Sequence, residues 1–321
     1  MMKPKNYSSA IKLLSLLFLS LYISCSPGNP LLPGEGFVEV NGGRVWYEVF
    51  GEGEKAPIIL LHGGPGGTSL GFEPMKEIGY EGPIVFFDQL GSGRSSAISD
   101  TSLMTIENYV EQVESLRKHL GIKDFVLYGS SWGTMLGMDY YMKYPDEVKA
   151  IIFSSPLFST DSWIADADTL IATLPDSVQQ VIRYHESINE YDHPDYQEAV
   201  KLYYSLYVTR KERPKIDRSH LNLVSGKVIY EYMWGPSEFT STGTLRNYDR
   251  LDQLGTISVP VLLFTGQYDE ARPATVQYYQ SLIPNATFRE IPDAAHSTLN
   301  DNKEETLKVV MEFLERVNSL K

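Results

Sequence analysis

The sequence has a single cysteine, Cys25, in 321 residues, so no disulfide within the chain can stabilise its fold. Cations are also scarce, because 28 lysines and arginines stand against 41 aspartates and glutamates, a formal net charge of -13. Such a chain would repel a nucleic acid or an anionic membrane surface over most of its surface. We therefore expect no nucleic-acid partner, and a fold that depends on its own apolar core.

Motifs that bind metals or nucleotides are missing as well. The chain has no H-E-x-x-H sequence and no cysteine cluster, so nothing in it indicates a metal site. The glycine-rich segment 91–96 lacks the third glycine of a dinucleotide loop, and no G-x-x-x-x-G-K-[ST] sequence is present. We predict a protein that needs neither a metal nor another cofactor.

One apolar run lies near the amino terminus. Three lysines precede eleven mainly apolar residues, 13–23, and Cys25 follows two residues later. The run is too short to span a bilayer, so it indicates a cleavable signal. The pattern resembles a bacterial lipoprotein signal, although Tyr22 stands where leucine is usual. This resemblance implies acylation of Cys25 and a lipid anchor in a membrane outside the cytoplasm. An ordinary secretory signal or an uncleaved anchor is the alternative.

The rest of the chain has the pattern of an α/β protein. Short apolar runs typical of strands buried on both faces alternate with helical segments such as 105–120. This alternation predicts a mostly parallel central sheet with helices on both faces, after an opening hairpin around 41–43. The predicted strands are 58–61, 84–87, 125–128, 150–153, 261–264 and 287–291.

The predicted domain organisation follows from where this alternation holds. Residues 1–24 are the signal, and 25–36 form a tether rich in proline and glycine. The α/β core comprises 37–156 and 251–321. Between them, 157–250 shows no strong strand pattern but several helix-compatible stretches. We interpret this segment as a helical cap inserted over the sheet.

A candidate nucleophile follows the predicted strand 125–128. Residues 129–133 read G-S-S-W-G and precede a helix-like run. In a G-x-S-x-G elbow the central serine, here Ser131, occupies a strained turn between a strand and a helix. The flanking glycines are needed because these two elements pack too closely for a Cβ atom. The sequence therefore predicts Ser131 as the nucleophile of a hydrolase.

A serine nucleophile requires a base and an orienting carboxylate. Of the six histidines, only His296 follows the last predicted strand. Asp269 stands on the loop at the carboxyl end of 261–264, which gives the chain order serine, acid, histidine of the α/β-hydrolase arrangement. We reject three other acidic residues. Glu270 is one residue beyond the position expected for the acid, Asp252 precedes the strand, and Asp293 is a turn residue.

The oxyanion of a tetrahedral intermediate requires two N–H donors. One is the backbone amide of Trp132, which follows the nucleophile at the start of a helix. The other should come from the H-G-G-P-G-G loop at 62–67. Pro65 has no N–H, so Gly63 or Gly64 must donate, and we favour Gly64. His62 is better explained as a structural residue that holds this loop.

Three motifs together resemble the proline iminopeptidase branch of the α/β-hydrolase superfamily. They are H-G-G-P-G at 62–66, D-Q-L-G-S-G-R-S at 88–95 and G-S-S-W-G at 129–133, the last with Ser130 where glycine is usual. The resemblance extends from Phe37 to the carboxyl terminus. G-P-S-E-F at 235–239 is further similar to the tricorn-interacting aminopeptidases of that branch. The amino-terminal signal departs from the family, whose members are generally cytoplasmic.

This resemblance implies a serine aminopeptidase that removes an N-terminal residue, often proline, from short peptides through an acyl-enzyme. It also implies that glutamates of the cap hold the substrate amine. Glu238 matches the family motif, and Glu231 is a second candidate from its position nearby. The alternatives are an amidase or esterase acting on N-acyl amides or lipophilic esters, and a binding lipoprotein without catalysis. Nothing in the sequence indicates the oligomeric state.

Overall fold

The computed structural model describes residues 31–319, and eight strands in this part of the chain form one sheet. The predicted signal, Cys25 and most of the predicted tether lie outside the described residues. The strands are β1 (Gly34–Val40), β2 (Gly43–Phe50), β3 (Ile58–Leu61), β4 (Ile84–Asp88), β5 (Phe125–Ser130), β6 (Val148–Ser154), β7 (Val261–Gly266) and β8 (Ala286–Ile291).

The order of the strands across the sheet is β1-β2-β4-β3-β5-β6-β7-β8. Strands β3 to β8 run parallel to one another, while β2 pairs antiparallel with both β1 and β4. Parallel strands present their carboxyl ends at one edge of the sheet, which is where open α/β sheets bind their ligands. The predicted α/β fold with a mostly parallel sheet is confirmed.

The opening hairpin is confirmed as well, with Val40 paired to Gly43 across a tight turn. Strand β1 begins at Gly34, so the last three residues of the predicted tether 25–36 belong to the sheet. At the opposite edge the prediction for 287–291 is wrong in one respect. Strand β8 is not buried on both faces: Arg289 and Glu290 are exposed, because β8 has a neighbouring strand on one side only.

Nine helices accompany the sheet in the described part of the chain. Helix α1 shows how the sequence sets their limits: the Thr105 hydroxyl accepts the Asn108 N–H at 3.3 Å as a cap, and cations occupy the last turn. The helices are α1 (Ile106–His119), α2 (Trp132–Lys143), α3 (Thr160–Ile171), α4 (Asp176–Ile188), α5 (Pro194–Tyr207), α6 (Lys227–Met233), α7 (Pro273–Leu282), α8 (Thr298–Asp301) and α9 (Lys303–Ser319).

Apolar side chains cover both faces of the sheet. Alternate residues of β3 show this, since Ile59 and Leu61 join the layer that includes α1, α2 and α7, whereas Ile58 and Leu60 join the layer that includes α9. Helices α3 to α6 lie between β6 and β7, in the segment predicted as the cap. Parts of α3, α4 and α5 form a third apolar cluster of their own. Among residues 31–319, no helix is long and apolar enough to cross a membrane.

Candidate active site

Ser131 occupies a strained turn between β5 and α2. Its φ of 55° lies in the left-handed region, which residues with a side chain rarely adopt. Helix α2 also lies very close to β3 here, because a Cβ atom on Gly133 would collide with the carbonyl oxygen of Leu61, the last residue of β3. A Cβ atom on Gly129 would likewise collide with the carbonyl of Gly133. This is the geometry expected of a nucleophile elbow.

Asp269 and His296 meet on the loops that follow β7 and β8. The Nδ1 atom of His296 lies 2.8 Å from Oδ1 of Asp269. Asp269 is buried, and its Oδ2 accepts hydrogen bonds from the hydroxyls of Ser155 at 2.6 Å and Thr265 at 2.7 Å. The N–H of Ala271 donates to Oδ1 at 2.9 Å. This hydrogen-bond network fixes the carboxylate against the imidazole.

The environment of His296 favours its protonated form. Burial alone would lower the pKa of the imidazole, but the charge and hydrogen bond of Asp269 outweigh burial and raise that pKa above its ordinary value of 6.5. The negative charge of Glu238 acts in the same direction, and the positive charge of Arg213 opposes it. The edge of Trp163 packs against the His296 ring, with the ring centres 5.6 Å apart.

Ser131, Asp269 and His296 all lie beyond the carboxyl ends of parallel strands, as predicted. Among residues 31–319, the polar side-chain contacts of His296 are with the carboxylates of Asp269 and Glu270, and none is with the Ser131 hydroxyl. Serine–histidine contacts are commonly long without substrate and tighten when it binds.

The glycine loop after β3 lies directly against the elbow. A Cβ atom on Gly63 would be 3.0 Å from the Cβ atom of Ser131 and 3.6 Å from its Oγ. The backbone at the predicted donor Gly64 has φ 119°, a conformation that favours glycine. Trp132 is the first residue of α2, where amide groups lack partners within the helix. The structure therefore places Gly63, and the loop that it shares with Gly64, against the turn of Ser131, with Trp132 as the next residue.

His62 fixes this loop through hydrogen bonds of its side chain, as predicted. Its Nε2 accepts the N–H of Gln89 at 3.0 Å, and its Nδ1 lies 2.9 Å from the carbonyl oxygen of Gly63. Burial lowers the pKa of His62, which is consistent with a neutral ring that donates through Nδ1. Both nitrogens are thus occupied, so His62 is not available as a base.

Glu238 reaches the catalytic loops from the cap. Its backbone N–H donates to the Tyr204 hydroxyl at 3.0 Å, and its carbonyl oxygen accepts the Trp163 indole N–H at 2.8 Å. Burial raises the pKa of its carboxyl group, and the nearby charge of His296 only partly opposes this. The structure thus places the predicted Glu238 near His296.

Glu270, which sequence reasoning discarded, is the second carboxylate of this region. Its side chain is 1% exposed, and Oε1 lies 3.8 Å from His296 Nδ1. Neither carboxylate oxygen has a hydrogen-bond partner among the described residues. The pKa of Glu270 is well above its usual range because of burial, and the negative charges of Glu238 and Asp269 raise it further. Carboxylates this deeply buried are rarely left unpaired.

Two tyrosines of the cap complete the cluster. The hydroxyls of Tyr203 and Tyr230 lie close to the carboxylates of Glu270 and Glu238, respectively. Both hydroxyls are buried, yet neither makes a hydrogen bond of normal geometry within residues 31–319. Two acidic groups and two phenols thus lie close to one another near His296. Such a site suits a cation with several N–H donors.

The structure does not bring Glu231 to this cluster, which corrects the sequence-based prediction. Its carboxylate is half exposed and lies 3.4 Å from Nζ of Lys227, one turn earlier in α6. Tyr230, the preceding residue, faces the carboxylates of Glu238 and Glu270, and consecutive residues of a helix do not share a face. Glu231 therefore lies on the outer face of the cap helix.

The cap is joined to the catalytic loops through the backbone. The carbonyl oxygen of Tyr207, the last residue of α5, accepts the N–H groups of Glu270 at 3.3 Å and of His296 at 3.1 Å. The next carbonyl, of Val208, accepts the N–H of Ser297 at 2.8 Å. The carboxyl end of α5 is thus the point at which the loops after β7 and β8 are held together.

No group of side chains with metal-ligand spacing in residues 31–319 includes Asp269 or His296; the group that has such spacing lies in the cap. Fold and site together define an α/β hydrolase with a serine nucleophile elbow. In agreement, the model of the alpha/beta hydrolase fold family matches residues 56–303.

The chain belongs to the proline iminopeptidase family of these hydrolases. It is 36% identical over 285 residues to the proline iminopeptidase of Heyndrickxia coagulans, covering 88% of this chain and 99% of the relative. It is 32% identical over 306 residues to that of Saccharolobus solfataricus, covering 94% and 99%. Among solved structures, the proline iminopeptidase of Mycobacterium smegmatis is 27% identical with a TM-score of 0.79, covering 88% and 98%. The structure of VinJ is 30% identical with a TM-score of 0.82, covering 89% and 100%.

Proposed function

We propose that this protein is a serine aminopeptidase that releases N-terminal residues, preferably proline, from short peptides. Ser131 attacks the carbonyl carbon of the first peptide bond while His296 accepts its proton. The backbone amides of Gly64 and Trp132 stabilise the oxyanion that forms. His296 then protonates the leaving amine, so the C–N bond breaks and an acyl-enzyme remains. A water molecule, deprotonated by His296, releases the amino acid and restores the serine.

The observation that carries this proposal is a pair of carboxylates near His296: Glu270 is buried, and Glu238 is partly buried. A hydrolase of uncharged esters has no use for two neighbouring acidic groups of which one is fully buried, because removing a carboxylate from water is unfavourable. A free N-terminal ammonium brings the opposite charge and hydrogen-bond donors, so its binding would compensate both carboxylates. A prolyl amine, with two N–H groups when protonated, can donate one hydrogen bond to each. Amine recognition next to the nucleophile limits cleavage to the first residue of a peptide.

The proposal predicts that the enzyme requires a free amine. We expect turnover of prolyl and alanyl arylamides, with the prolyl compound cleaved faster, and at least 100-fold lower kcat/KM after N-acetylation, because acetylation removes the charge that the carboxylates bind. The measurement is the initial rate with each arylamide, with N-acetylprolyl arylamide and with a medium-chain ester.

Other results would identify the alternatives. Preferential cleavage of the ester or of the acetylated amide would assign the chain to the amidases or esterases. Absence of turnover together with failure of Ser131 to react with a fluorophosphonate would support a binding lipoprotein. Turnover confined to free amines would exclude both.

The pH profile should report the raised pKa of His296. Because His296 must be neutral to accept the proton, kcat/KM should fall as the pH drops through a pKa above 6.5. Arg213, which donates to Ser297 Oγ at 3.2 Å, disfavours the imidazolium. Arg213→Gln should therefore move this acid limb to higher pH. Comparison with the unmodified enzyme on the same substrate cancels the titration of the substrate amine.

Lys215→Gln is the matched control, because Lys215 is on the same cap segment but pairs with Glu212 in full solvent. In Lys215→Gln, kcat/KM should fall at the same low pH as in the unmodified enzyme. An unchanged limb in Arg213→Gln, or a shift to lower pH, would contradict the assignment of His296 as the titrating base.

For the location of the protein, we propose an extracytoplasmic enzyme anchored through lipid on Cys25. The support is the residue pattern alone: cations, a short apolar run and a cysteine preceded by a small residue. Mass spectrometry of the N-terminal peptide of the membrane fraction tests it. Diacylglyceryl-modified Cys25 as the first residue is the expected result, and an unprocessed Met1 would refute it.

A further inference from the structure

Two histidines of the cap stack on each other at the connection between α4 and α5. His185 belongs to the last turn of α4, and His193 is the residue that caps α5. Their ring centres are 4.3 Å apart and the rings are nearly parallel, at 23°. Asp195, in the first turn of α5, completes a group in which one ligand atom from each residue lies within 4.8 Å of the others. None of these residues takes part in the proposed reaction.

The His185 ring shows that this group is more than a surface cluster. Its side chain is only 6% exposed, and its Nδ1 atom has no hydrogen-bond partner in the described part of the chain. The nearest acidic atom, Oε2 of Glu190, is 3.6 Å away, beyond normal hydrogen-bond distance. A buried imidazole nitrogen without a partner is unfavourable, and native proteins seldom keep one without a ligand.

We propose that this turn binds a divalent transition-metal ion, with Zn²⁺ as the best fit. His185 and His193 would supply imidazole nitrogens, and Asp195 and Glu190 would supply carboxylate oxygens. A set of two nitrogens and two oxygens, all from protein, matches a closed four-coordinate structural site. Calcium and magnesium prefer all-oxygen sets, so they should bind far more weakly. The sequence alone predicted no metal, because the spacing of these residues matches no common motif.

The geometry requires the exposed ligands to move and the His193 ring to turn out of its stacked position, because a bound ion lies close to the plane of each imidazole and the two rings are now nearly parallel. Around a tetrahedral ion with bonds of about 2.0 to 2.2 Å, ligand atoms lie about 3.4 Å apart. His185 is already fixed by its burial, whereas the side chains of His193, Asp195 and Glu190 are 42%, 71% and 57% exposed and can move inward. Ligation through Nδ1 of His193 would compete with the N–H of Asp195, which now donates to that atom at 3.2 Å.

A metal here would fasten together two helices that support the proposed amine site. Tyr196 of α5 contacts the His185 ring, and its hydroxyl lies 3.3 Å from Ser237 Oγ and 3.2 Å from Thr240 Oγ1. These two residues flank Glu238. The metal would thus be structural, stabilising the cap from a position outside the catalytic loops.

The test is metal titration of the full chain in detergent, without a histidine tag and after treatment with a chelator. We expect one Co²⁺ per chain, with the visible absorption of a four-coordinate site, displacement by Zn²⁺, and a higher Tm with Zn²⁺. His185→Asn and Asp195→Asn should each weaken binding at least tenfold. His220→Asn, an exposed histidine of the same cap, should bind like the unmodified chain.

Asp195→Asn changes an exposed side chain, so it remains informative if His185→Asn fails to fold. The absence of saturable one-to-one binding would overturn the proposal. Binding that persists unchanged in Asp195→Asn, that is lost in His220→Asn, or that is equally tight for Mg²⁺ would overturn it as well.

Discussion

Ser131→Ala should abolish turnover of the prolyl arylamide, lowering kcat by about 10⁴-fold or more, while the protein stays folded. The variant lacks the atom that attacks the carbonyl, and the remaining groups cannot form an acyl-enzyme. The fold should tolerate the change because alanine keeps the Cβ atom and the backbone strain of φ 55° is unchanged. The Ser131 hydroxyl also makes no hydrogen bond in the described chain that the substitution would remove. Rates of arylamide hydrolysis measure the loss of kcat, and thermal unfolding of the same preparation shows whether the fold is kept.

Ser130→Ala is the matched control, since the neighbouring serine at the end of β5 has no proposed role in the reaction. It should keep kcat within a few-fold of the unmodified enzyme. Residual turnover in Ser131→Ala that equals the control would remove Ser131 from the mechanism. Loss of the cooperative unfolding transition would show that the elbow was assigned to the wrong residue.

Glu270→Gln should weaken activity and strengthen the fold at the same time. Removing one charge from the proposed ammonium site should lower kcat/KM for the prolyl arylamide by about 100-fold. Glutamine keeps the shape of the side chain but cannot ionise, so it avoids the unfavourable burial of an unpaired carboxylate. Steady-state kinetics and thermal unfolding at several pH values are the measurements.

The pH dependence of this stabilisation has a definite sign. The pKa of Glu270 is raised well above that of the unfolded chain, so the folded state binds the proton more tightly. In the unmodified protein, stability should therefore fall as pH rises from the unfolded-state pKa, near 4.3, to the raised folded-state value. The Tm advantage of Glu270→Gln should be present at neutral pH and vanish at about pH 4.

Glu231→Gln serves as the control for this experiment, because Glu231 is on the same cap but pairs with Lys227 on the surface. Its kcat/KM and Tm should match those of the unmodified enzyme. If Glu270→Gln retains full kcat/KM, the pair of carboxylates is not the ammonium site. An equal loss in Glu231→Gln would restore the earlier sequence-based assignment.

Much of the fold could be predicted because its signals are local. A strand buried between two layers must be apolar at successive positions, as in β3, and the strained turn at Ser131 requires glycines at fixed distances. The burial of strand β8 was predicted less well, because the composition of a strand does not reveal whether it lies at the edge of the sheet. That information depends on the order of all eight strands.

The candidate site was predictable where chain order carries the information. Asp269 and His296 follow their strands, so their placement at one edge follows from a parallel sheet. Glu270 was discarded because adjacency to Asp269 suggested a choice between them. In the turn, consecutive side chains point to different partners, and Glu270 faces residues of the cap that are distant in sequence. The pairing of His185 with His193 similarly depends on the angle between two helices.

The shared backbone hydrogen bonds at Tyr207 and Val208 bear on how such enzymes can diversify. A cap attached only at its two chain ends could be exchanged between relatives as a cassette. Here the carbonyls of Tyr207, the last residue of α5, and of Val208, which follows it, bind the N–H groups of Glu270, His296 and Ser297. A chimera with a foreign cap must therefore place the end of the corresponding helix where its carbonyl groups can still accept these N–H groups. Selectivity and catalytic geometry are in this sense inherited together.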